Sequence, residues 1–305
     1  MEALEETCPE GEAVCLSSTG LTSERAIHLA ASLAARPRLH TLDLSHNHLG
    51  SAAVCALAAQ LHSLPELRTL DLGATGAGDD GAAAIASAAR ACAQLRKLSL
   101  MGSFVKQRGG FALAEHLGAL RELREIGLGW NKITGAAAVR LAEVVLAMPQ
   151  VQRFSGVPVS MLREGKLPPV PVPTLRDKMR RPSVPADREL YLNGGGCGAP
   201  GAMVVAALLQ CLPSDLEAIC MPFQDLDDLG AEAIVASAVS AKLPLRFLMF
   251  SRNNIRQAAR RRLNGTLGHS THISGAGLSD AATARMRELL PHLDDFHLRV
   301  NARGG

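Results

Sequence analysis

The sequence predicts an α/β solenoid of stacked strand–turn–helix units, with a parallel sheet on one face and helices on the other. Three observations predict it. First, Leu16, Leu44, Leu72, Leu100 and Leu128 recur at steps of 28 residues. Second, the phrase Leu-x-x-Leu-x-Leu ends on three of them, as Leu39-Leu42-Leu44, Leu67-Leu70-Leu72 and Leu95-Leu98-Leu100, and Leu123-Ile126-Leu128 follows the same pattern. Third, two more ladders keep this register. Three residues after the key position stand Thr19, Asn47, Thr75, Ser103 and Asn131, then Gln224 and Asn253. Five residues after it stand Leu21, Leu49, Ala77, Val105, Ile133, Cys197, Leu226 and Ile255. A fixed period of this length marks units too small to bury a core alone, which do so by stacking.

Each unit follows one grammar, clearest in the second. Leu42 and Leu44 alternate with Thr41, Asp43 and Ser45, a period of two that sends leucines to one side and polar groups to the other. Asn47 then offers an amide to backbone groups orphaned where the chain leaves the strand. Gly50 breaks the chain, and Val54, Leu57, Ala58 and Leu61 form a helical stripe up to Leu64-Pro65. Leu29/Leu33, Leu113/Leu117 and Leu141/Val145 give the same stripe in other units. The period then breaks. Val151 to Gly156 begins a unit, but the next strand, Leu190-Tyr191-Leu192, arrives eight residues late. Val159 to Glu164 suits one helical turn; Pro168, Pro169, Pro171, Pro173, Pro182 and Pro185 forbid a longer helix. The pattern resumes through Leu216-Ile219-Met221 and Leu245-Leu248-Phe250 at steps of 29. Ile273 to Leu278 echoes Leu16 to Leu21, Met286, Leu289, Leu290 and Leu293 suit a last helix, and Phe296-His297-Leu298 suits a final strand. The expected organisation is one repeat domain over 1–305, with a Pro-rich insertion at about 157–189 and a cap at about 265–305. Two repeat blocks joined by a hinge at the insertion are the alternative.

The run Leu39-His40-Thr41-Leu42-Asp43-Leu44-Ser45-His46-Asn47-His48-Leu49-Gly50, and again Leu123 to Gly135, resembles the signature of the leucine-rich repeat family. The match is to its ribonuclease-inhibitor-like subclass, with one α-helix per repeat. The resemblance implies a horseshoe whose parallel sheet lines the concave face and whose helices line the convex face. It is nearly silent on activity, since the family includes inhibitors, GTPase activators, immune sensors and cytoskeletal parts.

Composition narrows the function classes. Apolar residues make up 47% of the chain and aromatics 3%, so the core is built of leucine, alanine and valine. The net charge of +3 argues against a nucleic-acid binder, and no apolar run reaches the ~18 residues of a membrane span. The acidic start, Met1 to Gly11, has no apolar signal segment. Cysteines 8, 15, 55, 92, 197, 211 and 220 form no CxxC pair. They read as buried, reduced thiols of an intracellular, cytoplasmic protein. Phosphate-loop, zinc-protease and serine-hydrolase motifs are all missing from the sequence. Gly194-Gly195-Gly196-Cys197-Gly198 fits a strand-to-helix turn, and His40, His46, His48 and His62 lack metal-ligand spacing. No cofactor, metal or catalytic residue is expected.

The binding candidates come from columns of strand residues that point away from the core. One residue before the key position these are Cys15, Asp43, Asp71, Ser99, Gly127, Ser155, Tyr191, Cys220 and Met249. Three before it they are Thr41, Thr69, Lys97, Glu125, Arg153, Glu189, Ala218 and Phe247. Trp130 and Phe223 lie two residues after it, at the strand exit. Aromatics are scarce, yet Trp130, Tyr191, Phe223, Phe247 and Met249 fall at or beside one expected surface, and such residues make interface hot spots. A non-catalytic scaffold that grips a protein ligand on its concave face is therefore expected. The alternatives are a small-GTPase regulator like the Ran activator, with Asn131 or Arg252 as orienting residue, and a structural part of a ciliary or cytoskeletal assembly. Three local features stand apart from this surface. Pro168 to Pro173 suits a polyproline ligand or a spacer, Ser183 after Arg180-Arg181-Pro182 suits a phosphosite, and Arg252, Arg256, Arg260, Arg261 and Arg262 suit an acidic partner.

Overall fold

The computed structural model describes residues 12–170, 184–245, 247–250, 253 and 274–275. Strand and helix alternate: β1 (Ala13–Cys15), α1 (Ser23–Leu33), β2 (Thr41–Asp43), α2 (Gly50–Gln60), β3 (Thr69–Asp71), α3 (Gly78–Ala88), β4 (Lys97–Ser99), α4 (Gln107–Leu117), β5 (Glu125–Gly127), α5 (Gly135–Leu146) and β6 (Arg153–Phe154). Then come α6 (Val159–Arg163), β7 (Glu189–Tyr191), α7 (Gly198–Leu208), β8 (Ala218–Cys220), α8 (Asp228–Ser240), β9 (Phe247–Phe250) and β10 (Ser274–Gly275). These are the repeated strand and helix units, with parallel sheets, that the period predicts.

The chain forms two compact units, Met1–Ser155 and Gly156–Gly305. The first carries a six-stranded parallel sheet in the order β1-β2-β3-β4-β5-β6; the second carries a four-stranded parallel sheet in the order β10-β9-β8-β7. In the first sheet Leu42 pairs with Leu70, Leu70 with Leu98, Leu98 with Ile126, and Ile126 with Phe154. In the second, Leu190 pairs with Ile219 and Ile219 with Leu248. All of these are buried, so the expected core ladder is the observed one.

The polar ladder caps that core from within. Asn47 is buried; its Nδ2 donates to the Leu16 carbonyl at 2.7 Å and the Leu44 carbonyl at 3.0 Å, while its Oδ1 accepts from the Leu21 N–H at 2.9 Å. Asn131 and Asn253 repeat this pattern in their own units. Thr75 and Ser103 do the same with hydroxyls, both onto the Leu72 carbonyl. Each bond satisfies a backbone group that the turn would otherwise bury unpaired. Asp43 and Asp71 are also structural. Their Oδ1 atoms accept from the N–H groups of Ser45 and Gly73, both at 3.0 Å.

Three expectations are corrected. Helix α2 ends at Gln60, and a 3₁₀ turn, Leu61–Ser63, completes the path to Leu64. Cys15 and Cys211 are exposed rather than buried, whereas Cys92, Cys197 and Cys220 are buried. Finally, the outward columns are not uniformly open. Ser99 and Ser155 are buried in the first unit, and Glu189, Ala218 and Cys220 in the second. For Ala218 and Cys220 the reason is a small cluster on the sheet's outer face, where Val184, Tyr191 and Met249 pack over them. Val184 lies at the end of the Pro-rich insertion, so the chain itself occupies part of this surface.

Candidate functional site

Where β1 to β5 end, the backbone enters the left-handed region two residues after the key leucine. Ser18, His46, Ala74, Gly102 and Trp130 occupy this slot, with φ of 57°, 56°, 54°, 63° and 57°. Gly194 (φ 74°) and Phe223 (φ 55°) occupy it in the second unit. This region suits glycine, asparagine or small polar residues, and a bulky side chain there is uncommon. The turns stack through the backbone. His46 N–H donates to the Gly73 carbonyl, Ala74 N–H to the Met101 carbonyl and Gly102 N–H to the Gly129 carbonyl. They form a continuous rim along one edge of the six-stranded sheet.

At two positions an aromatic fills this slot. Trp130 is 43% exposed and Phe223 is 39% exposed. Neither buries its full ring in return for its backbone conformation. Two more apolar groups join Trp130 on the rim of the first unit: Phe104, 70% exposed with φ 61°, and Met101, 38% exposed. The turn that holds them is tied to the Trp130 turn, because Val105 N–H donates to Asn131 Oδ1 at 2.9 Å and Lys132 N–H to the Val105 carbonyl at 2.9 Å. Met101 and Phe104 were not singled out from the sequence. A signal was available: their equivalents elsewhere are Ser17, Ser45, Gly73 and Gly129, and Gly20, His48, Gly76 and Lys132.

The other expected residues are placed differently. Trp130 belongs to the first unit; Tyr191, Phe223 and Met249 belong to the second. Tyr191 and Met249 are half-buried against Ala218 and Cys220 rather than standing free on the sheet. Phe247 lies in β9, paired with Ala218. Asn131, one candidate for orienting a GTPase, is buried with its amide bound to backbone on both sides, which leaves it no reach to a ligand. Arg252, Arg256, Arg260, Arg261, Arg262 and Ser183 lie outside the described residues.

Burial pushes the Cys92 thiol up to about 11 and raises that of Cys197 as well, so neither offers a thiolate near neutral pH. Cys197 N–H donates to Gln224 Oε1 at 3.2 Å, and Gly194, Gly196 and Gly198 all have positive φ, as a tight turn requires. Among the described residues no three His, Cys, Asp or Glu side chains group as metal ligands, and no helix is long and apolar enough to cross a membrane.

Residues 38–58 match the family model described as "Leucine Rich repeat". No curated protein sequence matches the chain. A solved structure titled "Leiomodin-1 Actin-Binding Site 2 (ABS2)" is similar at 14% identity and a TM-score of 0.39, covering 49% of this chain and 85% of that one.

Proposed function

We propose that the chain is a non-catalytic protein-binding scaffold whose ligand docks on the strand-exit rim, with Trp130 as the main anchor in the first unit. The observation that carries this reading is Trp130 itself, an indole held in a left-handed slot and 43% exposed. Non-glycine residues in that conformation cost of order 1 kcal/mol, and partial exposure returns little of it through burial. Gly102 serves the same turn without that cost. Met101 and Phe104 extend the apolar area beside it. Large rigid side chains of this kind give contact area at low entropic cost on binding. Phe223 supplies the equivalent anchor in the second unit, while Tyr191 and Met249 act mainly by supporting the surface around Cys220.

The test uses the fact that Trp130 is the sole tryptophan. A partner recovered by affinity purification from the native cell is titrated into the purified chain. Binding shifts the indole emission to the blue. Trp130→Ala weakens the affinity roughly tenfold or more, with an unchanged urea midpoint. Equal affinity of variant and parent, measured by calorimetry, refutes the rim as the site.

A further inference from the structure

The opposite edge of the same sheet, where the strands begin, carries a second feature. Arg68, Arg96 and Arg124 stand at successive steps of 28, each one residue before its strand. The backbone stacks them directly: Arg96 N–H donates to the Arg68 carbonyl at 2.8 Å, and Arg124 N–H to the Arg96 carbonyl at 2.8 Å. All three are exposed. Adjacent strands lie about 4.8 Å apart, so three guanidinium-bearing stems rise from neighbouring rungs. Like charges on neighbouring rungs repel. Little among the described residues offsets this. Among the described residues, Arg124 reaches Glu122 only at 3.9 Å, and the guanidinium groups of Arg68 and Arg96 make no ion pair. Lys97, in the next column, is already held by Asp71 at 3.1 Å. The equivalent column of the second sheet is arranged the other way: Arg188 is followed by Glu217, and the two pair at 2.7 Å.

We infer that the Arg68–Arg96–Arg124 column is a docking surface for an acidic polypeptide segment, lying extended across the strands with its carboxylates on the guanidinium groups. In an extended chain alternate side chains share a face about 7 Å apart, and the long arginine stems absorb the difference from the strand spacing. Guanidinium groups pair bidentately with carboxylates, which lysines do not. A polypeptide fits better than a nucleic acid because Glu66, Glu122 and Glu125 flank the column and would repel a continuous phosphate backbone. Discrete carboxylates avoid them. This inference goes beyond the rim reading and does not depend on it, since the column lies at the other edge of the sheet.

The experiment measures anisotropy of a fluorescein-labelled peptide of alternating Glu and Ser at low ionic strength, against the full chain. The parent binds it, and added salt weakens the complex. Simultaneous Arg68→Gln, Arg96→Gln and Arg124→Gln lowers the affinity at least tenfold. The control, Arg25→Gln, Arg90→Gln and Arg140→Gln, removes the same charge from elsewhere on the first unit and keeps the affinity within threefold. Trp130→Ala also binds the peptide as the parent does, which separates this surface from the rim. A thermal scan guards against misfolding: Arg96→Gln alone melts no lower than the parent, because it relieves repulsion. Equal loss in the control, a lowered melting point for Arg96→Gln, or tighter arginine-dependent binding of single-stranded DNA of matched charge would overturn the proposal.

Discussion

At the scale of single residues, the buried amide ladder does work that no apolar residue could do. Asn131 joins the Leu100 and Leu128 carbonyls to the Ser103 and Val105 N–H groups. Asn131→Ala leaves these groups in a dry turn, and each unsatisfied group costs about 1–3 kcal/mol. The variant is expected to lose about 3 kcal/mol or more in urea denaturation. Thr19→Ala, which removes one exposed hydroxyl bond to the Leu16 carbonyl, loses less than about 0.5 kcal/mol. Thiols give a second residue-level prediction. Burial holds Cys92 up to about 11 and raises Cys197, so at pH 8 both resist alkylation until the chain unfolds. Exposed Cys211 is labelled in the native state. Peptide mapping after brief iodoacetamide treatment reads this directly; early labelling of Cys92 would contradict the fold.

At the scale of elements, packing overrides local propensity. Alanine favours an exposed helix over glycine by about 1 kcal/mol, yet Gly110 sits in α4 where a Cβ would lie 2.7 Å from Ile133 Cγ2. Gly110→Ala is therefore expected to destabilise by about 1–3 kcal/mol through overpacking between α4 and α5, measured by chemical denaturation. The cap of α8 carries a pH dependence. Asp227 accepts from the Gly230 N–H at 2.9 Å, yet burial holds its carboxyl above the ordinary value of 3.8. A raised carboxyl binds its proton more tightly in the folded chain. Its contribution is thus greatest at low pH and falls as pH rises through the folded pKa, levelling off above it. Asp227→Asn keeps an oxygen to cap the helix and removes that loss, so it matches or exceeds the parent at pH 7. Asp227→Ala lacks the cap and falls below the parent by about 1 kcal/mol. A stability profile between pH 3 and pH 7 separates the three chains.

At the scale of the whole molecule, stability is a sum over neighbours rather than a property of one core. Each repeat is held by the repeats beside it, so a lesson learned at the centre does not transfer to an end. Leu98 is fully buried between Leu70 and Ile126, and Leu98→Ala is expected to cost about 2–5 kcal/mol and to lower amide protection on both sides of β4. Val14 lies in β1, at the edge of the same sheet, and among the described residues its strand pairs with β2 alone. Val14→Ala is expected to fray β1 and α1 while protection from β3 onward holds. Hydrogen exchange resolved by mass spectrometry distinguishes local from global loss.

The period, the paired leucine rungs and the polar ladder were legible in the sequence because each is set within one unit and then repeated at the same offset. Asn47, Asn131 and Asn253 occupy the same slot by sequence and make the same bonds in space. What the outer surface presents was not legible in this way, because a column names the residues that point outward but not what lies over them. Cys220 and Ala218 lost their exposure to Tyr191, Met249 and Val184, the last some three dozen residues earlier in the chain. The rim of Met101, Phe104 and Trp130 emerged only once stacked turns brought three different offsets side by side. Local grammar determined the scaffold; contacts between segments distant in sequence decided which parts of it remain open, since solvent access depends on every neighbour and not on the repeat alone.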